Sequence, residues 1–500
     1  MSDVAVAGRT AFVLAGGGTK GSFEVGVLQY LVGVERIIPD IVTATSAGAI
    51  AASVLAQART HEEFTQRVQE IEEDILAMTR TEHVFGEQAW LRALAGTALG
   101  GTIRFALTEG TRPVPAAPSE VADRSAVGNG AEPVGGPEVG PDRRTRRAAG
   151  RARRQRQRRV VRMVGGAGFR LPKVRRTLRH SGSSAMNLQP LADALRHGGP
   201  SGIRPIDPAL IARPGLQLRL AVTALRAGRL RYVTEDGTIV EEDALTPAPG
   251  RAAGPVHLVD GAVASASVPL VFPPHPMADD DYVDGGVVQI IPVRAAAALG
   301  ATRIIAVVAM PLELPREERN YSKGPAADIG LRALGMIGIA DRQRENLAVP
   351  LPPGATLTTI DPVIDVVGLF EIEPGLMRIN LDYGWLRAAD VMAEGQGDAD
   401  LLADVATQTH RLTAARLQAW HLEETLWAMD PTELGQAAGT MALLRDLKQQ
   451  THDVVTQRKQ LGYPVPDGCE AWWTEYEVHS GTRPAPLAVR PSDRPANLGA

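Results

Sequence analysis

Cysteine is almost absent from this chain of 500 residues, which has a single one, Cys469. A framework of internal disulfides is therefore excluded, and the composition fits a protein of a reducing compartment. We expect Cys469 to be an ordinary, partly buried thiol. Paired cysteines and the H-E-x-x-H pattern are also missing, so the sequence predicts no metal site.

Long apolar runs and aromatic residues are scarce as well. No stretch of about 18 apolar residues occurs, so we predict no membrane-spanning helix. Residues 1–9 lack the basic and apolar segments of a signal peptide. Aromatic residues make up 4% of the chain, whereas glycine occurs 51 times and proline 36 times, which is typical of long loops. We expect a cytoplasmic protein whose membrane contact, if it has one, is peripheral.

The net charge of −4 hides an uneven distribution. The arm between Arg143 and Arg179 contains 16 basic residues and no acidic ones, so the rest of the chain is strongly acidic. Such an arm suits anionic lipid head groups, the acidic remainder of its own chain or a solvated linker, and these interpretations stay open. Its one aromatic residue, Phe169, is too little for a series of stacked bases, so we expect no nucleic-acid partner.

Composition and periodicity divide the chain into parts. Alternating strand and helix patterns over residues 8–395 predict one α/β domain. Within it, residues 110–180 are rich in Pro, Gly, Ala and Arg, and we predict a disordered insertion there. Residues 400–480 form a helical extension, and residues 484–500 a disordered tail. The predicted strands cover 10–15, 41–44, 216–225, 229–233, 303–309 and 357–360, and the later predicted helices cover 294–299, 328–347 and 383–392.

The first strand leads into the run Gly16-Gly17-Gly18-Thr19-Lys20-Gly21. This run fits G-x-G-x-x-G, which is typical of a dinucleotide site, although the next strand lacks the terminal acid that would bind a ribose. Lys20 does not stand where a P-loop requires its lysine. Consecutive glycines before a helix also expose N–H groups toward an anion, and a plain tight turn is the simplest alternative.

The second strand leads into Ala44-Thr45-Ser46-Ala47-Gly48, which is followed by a helix of small residues. This layout is typical of a nucleophile elbow, the sharp turn that exposes a serine hydroxyl above a sheet. The strict pattern is G-x-S-x-G, and Ala44 stands in place of its first glycine. A serine at this point can also serve only as a helix N-cap.

A nucleophilic serine requires a base. The ten histidines are scattered, and the best placed, His275, has a proline on each side and is predicted to lie in a turn. Asp284 ends a short strand and precedes Gly285 and Gly286, which permit close approach of the backbone. Composition alone does not separate a catalytic Asp284 from one that stabilises a turn.

In this order, the motifs resemble those of the patatin-like phospholipases, which are lipid acyl hydrolases with a Ser–Asp dyad. Residues 16–21 resemble the family's oxyanion loop, G-G-G-x-[KR]-G, and residues 44–48 resemble its elbow. The segment 264–274 resembles the stretch before the dyad aspartate, and Asp284-Gly285-Gly286 matches D-G-[AG]. The resemblance spans residues 8–395 without the insertion.

The resemblance implies a three-layer α/β/α sandwich with a mostly parallel sheet and no cofactor. Ser46 would attack the carbonyl of a phospholipid or other lipid ester, Asp284 would accept its proton, and water would hydrolyse the acyl-enzyme. Backbone N–H groups of Gly17 and Gly18, together with Ala47, would hold the oxyanion. Two alternatives remain open at this point: a nucleotide-binding oxidoreductase built on residues 16–21, and an inactive lipid-binding scaffold.

Overall fold

The computed structural model describes residues 8–93, 184–199, 202–248, 255–278, 280–314, 322 and 337–480. The predicted insertion, its basic arm and the tail at 484–500 lie outside these residues. The strands are β1 (Thr10–Leu14), β2 (Ile41–Thr45), β3 (Gly86–Glu87), β4 (Met186–Asn187), β5 (Gln217–Ala224), β6 (Arg229–Thr234), β7 (Ile239–Val240), β8 (His275–Met277), β9 (Asp280–Asp284), β10 (Arg303–Val307) and β11 (Thr356–Ile360).

The helices alternate with the strands over most of the chain. They are α1 (Ser22–Leu28), α2 (Ala47–Leu55), α3 (His61–Ala77), α4 (Ala89–Ala93), α5 (Gln189–His197), α6 (Pro208–Ile211), α7 (Leu258–Ser265), α8 (Val293–Ala298), α9 (Gly338–Leu347), α10 (Pro374–Ala393), α11 (Ala399–Trp427), α12 (Pro431–Gly435), α13 (Ala438–Gln460) and α14 (Ala471–Thr474).

The main sheet has the strand order β11-β10-β1-β2-β5-β6-β7. The five strands from β11 to β5 run parallel, and β6 and β7 are antiparallel to their neighbours. Strand β9 also pairs with β5, antiparallel to it, and β8 pairs with β9. The predicted mostly parallel α/β fold is confirmed.

Helices cover both faces of this sheet. Along β1, Phe12 and Leu14 belong to the apolar core that α1, α2, α3 and α10 complete. The alternate residues Ala11 and Val13 belong to a second core with α8 and α9. Because both faces are buried, β1 is apolar at every position from Ala11 on, as is usual for a parallel strand. This gives the predicted three layers.

Helix α10 is longer than the sequence indicated, because it begins at Pro374 rather than near residue 383. It crosses α1 so closely that a methyl group at Gly384 would lie 2.0 Å from the Phe23 carbonyl oxygen, and one at Gly26 would lie 1.8 Å from that of Leu381. A helix buried on several sides shows no amphipathic period. The prediction of a short helix was therefore wrong at its start.

One other prediction, the turn at His275, needs correction. His275 begins strand β8 and pairs with Tyr282 of β9, so the predicted turn is instead a short hairpin. Helix α9 begins at Gly338, and the predicted start at residue 328 lies outside the described residues. The capping box between Thr60 and Glu63 is present at the start of α3.

The C-terminal helices α11, α13 and α14 pack against α10 and one another. Arg416 of α11 bonds Asp382 of α10 at 2.8 Å and Glu477 at 2.8 Å, and Arg458 of α13 bonds Asp390 of α10 at 2.6 Å. These ion pairs are almost fully buried. The boundary that we predict between residues 395 and 400 stays a prediction.

Replacing Arg416 by methionine should lower the free energy of unfolding by about 3 kcal/mol, because Asp382 and Glu477 would stay buried without their cation. Urea denaturation followed by circular dichroism measures the change. The matched control is Lys459→Met, which removes an exposed ion pair with Glu470 in the same helical region and should change stability little. Equal losses in the two variants would contradict the prediction.

The free thiol of Cys469 is buried, as expected. Within the described ranges no helix is long and apolar enough to cross a membrane. The same ranges contain no group of three His, Cys, Asp or Glu side chains that could hold a metal ion.

Candidate active site

Ser46 lies on a strained turn between β2 and α2. Its backbone has φ 55° and ψ −125°, a conformation that L-residues rarely adopt and that costs free energy. The Ser46 N–H donates a hydrogen bond to the Ser265 hydroxyl at 2.9 Å. A methyl group at Gly48 would lie 2.6 Å from the Ala15 carbonyl oxygen, so the turn needs a glycine at this position. The layout is that of a nucleophile elbow.

Ala44, which departs from the strict elbow pattern, fits this turn. It lies within β2, in register with Leu14 of β1 and Leu220 of β5. Its methyl group is fully buried in the main core. The first elbow position therefore accommodates a methyl group in this chain.

The strained backbone at Ser46 predicts that glycine is more stable than alanine at this position, the opposite of the order within a helix. Ser46→Gly should unfold with a free energy about 1 kcal/mol higher than Ser46→Ala, because glycine adopts a positive φ without a steric penalty. The control pair is Ser53→Gly and Ser53→Ala, within the helix α2, where alanine should be the more stable. Chemical denaturation measures the free energy of unfolding of the four variants. A more stable alanine variant at both positions would contradict the prediction.

Strand β5 brings Asp284 next to Ser46. Thr45 at the end of β2 is in register with Ala221 of β5, and Asp284 at the end of β9 is in register with the following residue, Val222. Strands β2 and β9 thus meet end to end along β5. A methyl group at Gly285 would lie 2.4 Å from the Ala221 carbonyl oxygen, so a glycine lets the chain leave β9 at this point.

The Asp284 carboxyl is buried and has two hydrogen-bond partners. Gly286 N–H donates to its Oδ1 at 2.6 Å, and the Ser46 side chain is its second partner. Burial raises the pKa of Asp284 to about 6, and the two hydrogen bonds only partly offset this shift. The carboxyl is therefore a stronger base than an exposed aspartate, and it is ionised for the most part at neutral pH.

The glycine-rich turn after β1 packs directly on the elbow. A methyl group at Gly16 would lie 3.0 Å from Ser46 Cβ. No described residue accepts a hydrogen bond from the backbone N–H of Gly17 or of Gly18. Gly18 has φ 56°, and a methyl group there would lie 2.1 Å from the Leu369 carbonyl oxygen. Within the described part of the chain, this turn thus presents two unpaired donors beside the serine.

Lys20 anchors the turn to the segment 365–369. Its ammonium bonds both carboxylate oxygens of Asp365, at 2.5 and 2.6 Å. The neighbouring Thr19 N–H donates to the Leu369 carbonyl oxygen at 3.1 Å. The sequence placed Lys20 within the oxyanion motif, and the structure gives its side chain an anchoring contact.

A cavity of about 330 Å³ opens beside these groups. Its wall includes residues 16–19, Ser46, Ala47, Asp284 and Gly286. The remainder is mostly apolar and includes Ile50, Val54, Ile71, Ile75, Met78, Phe85, Leu188, Leu191, Phe272, Leu369, Phe370 and Met377. Such a wall suits a hydrocarbon chain.

Sequence reasoning missed some residues at this site. The segment 365–372 has no regular secondary structure, and nothing in its spacing connects it to residues 16–21. Ser265 lies in the segment that resembles the family, but its bond to the Ser46 backbone had no sequence signal. His275 binds Asp260 at 2.9 Å, and no histidine lines the described part of the cavity.

These features define an α/β fold with a serine elbow, a buried aspartate and a glycine-rich turn in which two backbone N–H groups have no acceptor among the described residues. The patatin-like phospholipase family matches residues 12–297 of the chain. The chain therefore belongs to the patatin-like phospholipase family. This membership favours the hydrolase interpretation over the dinucleotide site that residues 16–21 also allowed.

The individual proteins that this chain resembles share either a short stretch or a low sequence identity with it. A stretch of 49 residues is 51% identical to triacylglycerol lipase 4 of Saccharomyces cerevisiae (strain ATCC 204508 / S288c), and it covers 10% of this chain and 5% of the yeast protein. Among solved structures, VipD from Legionella pneumophila has a TM-score of 0.28 at 12% identity, with 91% of this chain and 84% of VipD covered. The type III effector ExoU has a TM-score of 0.18 at 13% identity, with 93% and 78% covered.

Proposed function

We propose that this protein hydrolyses carboxylic esters of lipids, as a phospholipase A or lysophospholipase-like esterase, with Ser46 as nucleophile and Asp284 as base. The observation that carries the proposal is the meeting of β2 and β9 along β5, which puts a strained serine and a buried aspartate together on the wall of an apolar cavity. Family membership supports a lipid substrate.

In the first half-reaction, the Ser46 hydroxyl gives its proton to Asp284 while its Oγ bonds to the ester carbonyl carbon. The carbonyl oxygen becomes an oxyanion, which the backbone N–H groups of Gly17, Gly18 and Ala47 would hold. The C–O bond to the alcohol then breaks, and the alcohol leaves with the proton from Asp284. The acyl group stays on Ser46.

In the second half-reaction, water takes the place of the alcohol. Asp284 accepts a proton from the water, the hydroxide bonds to the acyl carbon, and the same donors hold the new oxyanion. The fatty acid leaves as the bond to Ser46 Oγ breaks, and the proton returns to Ser46. Each backbone donor aimed at the oxyanion is worth about 3–4 kcal/mol to such a reaction.

The remaining parts have proposed roles as well. Residues 8–395 would form the hydrolase domain, with residues 400–480 as a helical extension against α10. The basic arm between Arg143 and Arg179 would contact anionic head groups of a membrane, because its charge is opposite to theirs. A cytoplasmic, peripheral location agrees with these roles.

The test uses a fluorophosphonate probe, which reacts with activated serines. We expect one modified peptide, which carries Ser46, and a loss of labelling when a lipid ester competes. Hydrolysis is measured in parallel on phospholipids, lysophospholipids, triacylglycerols and short acyl esters. Labelling at another serine, or a folded protein inactive on every ester class with and without anionic vesicles, would contradict the proposal and favour an inactive lipid-binding scaffold.

A further inference from the structure

Arg342 of helix α9 is a cation in the cavity wall that the proposed mechanism does not use. Among the described residues that line this cavity, Arg342 is the only basic one. It follows Ile339, another lining residue, by three positions, so the two side chains share one face of α9. Arg342 is partly exposed, so a ligand in the cavity can reach it. Helix α9 lies beyond residue 297, where the family match ends.

Hydrogen bonds hold Arg342 beside the proposed base. Its Nη1 donates to the Gly286 carbonyl oxygen at 3.0 Å, and the N–H of the same glycine donates to Asp284 Oδ1 at 2.6 Å. One turn further along α9, the Asn346 side chain accepts bonds from the backbone N–H groups of residues 290 and 291, at 2.8 and 3.0 Å. Helix α9 is thus fixed to the segment that follows Asp284.

Within the described part of the chain, Arg342 has no carboxylate partner. Its one hydrogen bond is with a neutral carbonyl oxygen, whereas Arg344 of the same helix pairs with Asp341 at 3.0 Å. A guanidinium has five N–H donors, so most of those of Arg342 stay available to a ligand. In a mostly apolar cavity the attraction between this cation and an anionic group is stronger than it would be in water.

The proposed reaction indicates which part of a substrate would lie near Arg342. Asp284 gives its proton to the leaving alcohol, so the alcohol part of the ester lies on the Asp284 side of the cavity. Arg342 is on this side, because Gly286 bonds both residues. The alcohol part of a glycerophospholipid carries a phosphate, and that of a triacylglycerol carries only further esters. Phosphate oxygens match the planar, two-pronged donor geometry of arginine.

We propose that Arg342 binds the phosphate of a glycerophospholipid or lysophospholipid, and so directs the enzyme to esters that carry a phosphate rather than to triacylglycerols. This inference rests on the proposed function, because it takes the cavity to be the ester site. A triacylglycerol would leave the cation in an apolar cavity without an anion, whereas a phospholipid would supply one.

The test measures binding by calorimetry of two ether lipids, 1-O-octylglycerol and its 3-phosphate, which have no ester bond to cleave. Wild type should bind the phosphate at least about tenfold more tightly, because charge-assisted hydrogen bonds are strong. Arg342→Met should lose this preference, and Arg342→Lys should keep part of it, because lysine retains the charge without the planar fork. The control is Arg344→Met, which removes an equal charge from an exposed position of α9 and should keep the full preference.

A second measurement compares kcat/KM on two short esters, decanoyl lysophosphatidate and monodecanoylglycerol. Arg342→Met should lower kcat/KM about tenfold on the first ester, because it removes the phosphate contact, and leave the second within a few-fold of wild type. A variant that is merely damaged in structure would lose activity on both esters. Equal losses on the two substrates would therefore contradict a role in phosphate binding.

Equal affinity of wild type for the two ether lipids, or binding of neither, would overturn the proposal whatever the variants do. A preference that persists in Arg342→Met would also overturn it. Inorganic phosphate is the third ligand, and binding as tight as that of the lipid phosphate would assign the site to free phosphate instead of a substrate. Because binding does not require turnover, a hydrolase that ignores the phosphate refutes only the phosphate site. A protein that prefers the phosphate but cleaves no ester refutes only the hydrolase.

Discussion

Ser46→Ala protein should hydrolyse lipid esters at least about 10⁴-fold more slowly than wild type, and fluorophosphonate should not label it. The substitution removes the proposed nucleophile, and loss of the nucleophile in serine hydrolases costs rates of this order or more. Alanine keeps the Cβ that packs against Gly16, so the elbow should keep its shape. Initial rates on the best lipid ester, with labelling at matched protein concentration, measure the effect.

The matched control is Ser53→Ala, which makes the same change two turns further along α2. Ser53 is buried and donates its hydroxyl to the Ala49 carbonyl oxygen at 2.8 Å, but it does not line the cavity. Its activity should stay within a few-fold of wild type. If Ser46→Ala protein hydrolyses the ester faster than the reaction proceeds without enzyme, at a rate close to that of Ser53→Ala, another group carries the reaction.

Asp284→Asn should lower kcat about 10³-fold at pH 8, because an amide cannot accept the serine proton. In wild type, kcat/KM should fall as the pH drops through about 6, where burial places the pKa of Asp284 and protonation removes the base. The variant should show no inflection at this pH. Full pH–rate profiles of the two proteins test this, and an unchanged inflection in the variant would assign the titration to another group.

The same substitution has a second, independent readout in stability. The pKa of Asp284 is raised from an ordinary 3.8 to about 6 in the folded protein. The folded state therefore binds the proton more tightly than the unfolded chain, and wild type should lose stability as the pH rises from about 4 to about 6. Asp284→Asn should lack this loss, so at pH 8 it should have the lowered kcat and yet be at least as stable as wild type.

The parts of this fold that the sequence predicted are local. The runs at residues 16–21 and 44–48 each follow an apolar strand and precede a helix, so glycine placement and strand pattern suffice to position them. Asp284 is a local candidate as well, at the end of a short strand before two glycines, but its role as a base is implied only by the family resemblance. In each case the informative pattern lies within a few residues of the group in question.

The parts that the sequence did not predict depend on contacts between distant segments. The register of β5 with both β2 and β9 sets the distance between Ser46 and Asp284, and no local pattern contains it. Helix α10 is apolar on several sides because it lies between α1 and the C-terminal helices, which hides its period. The sequence shows Glu24 only as a polar residue in a helix and does not indicate that it lines the cavity.

The position of β1 in the sheet has a consequence for synthesis on the ribosome. Its neighbour on one side, β2, follows at once, whereas its neighbour on the other side, β10, begins only at Arg303. Until β10 is made, the growing chain carries an unpaired strand edge that is apolar from Ala11 to Leu14, and such an edge is a template for pairing with other chains. Folding of this protein in the cell should therefore depend on how well chaperones protect that edge during the interval.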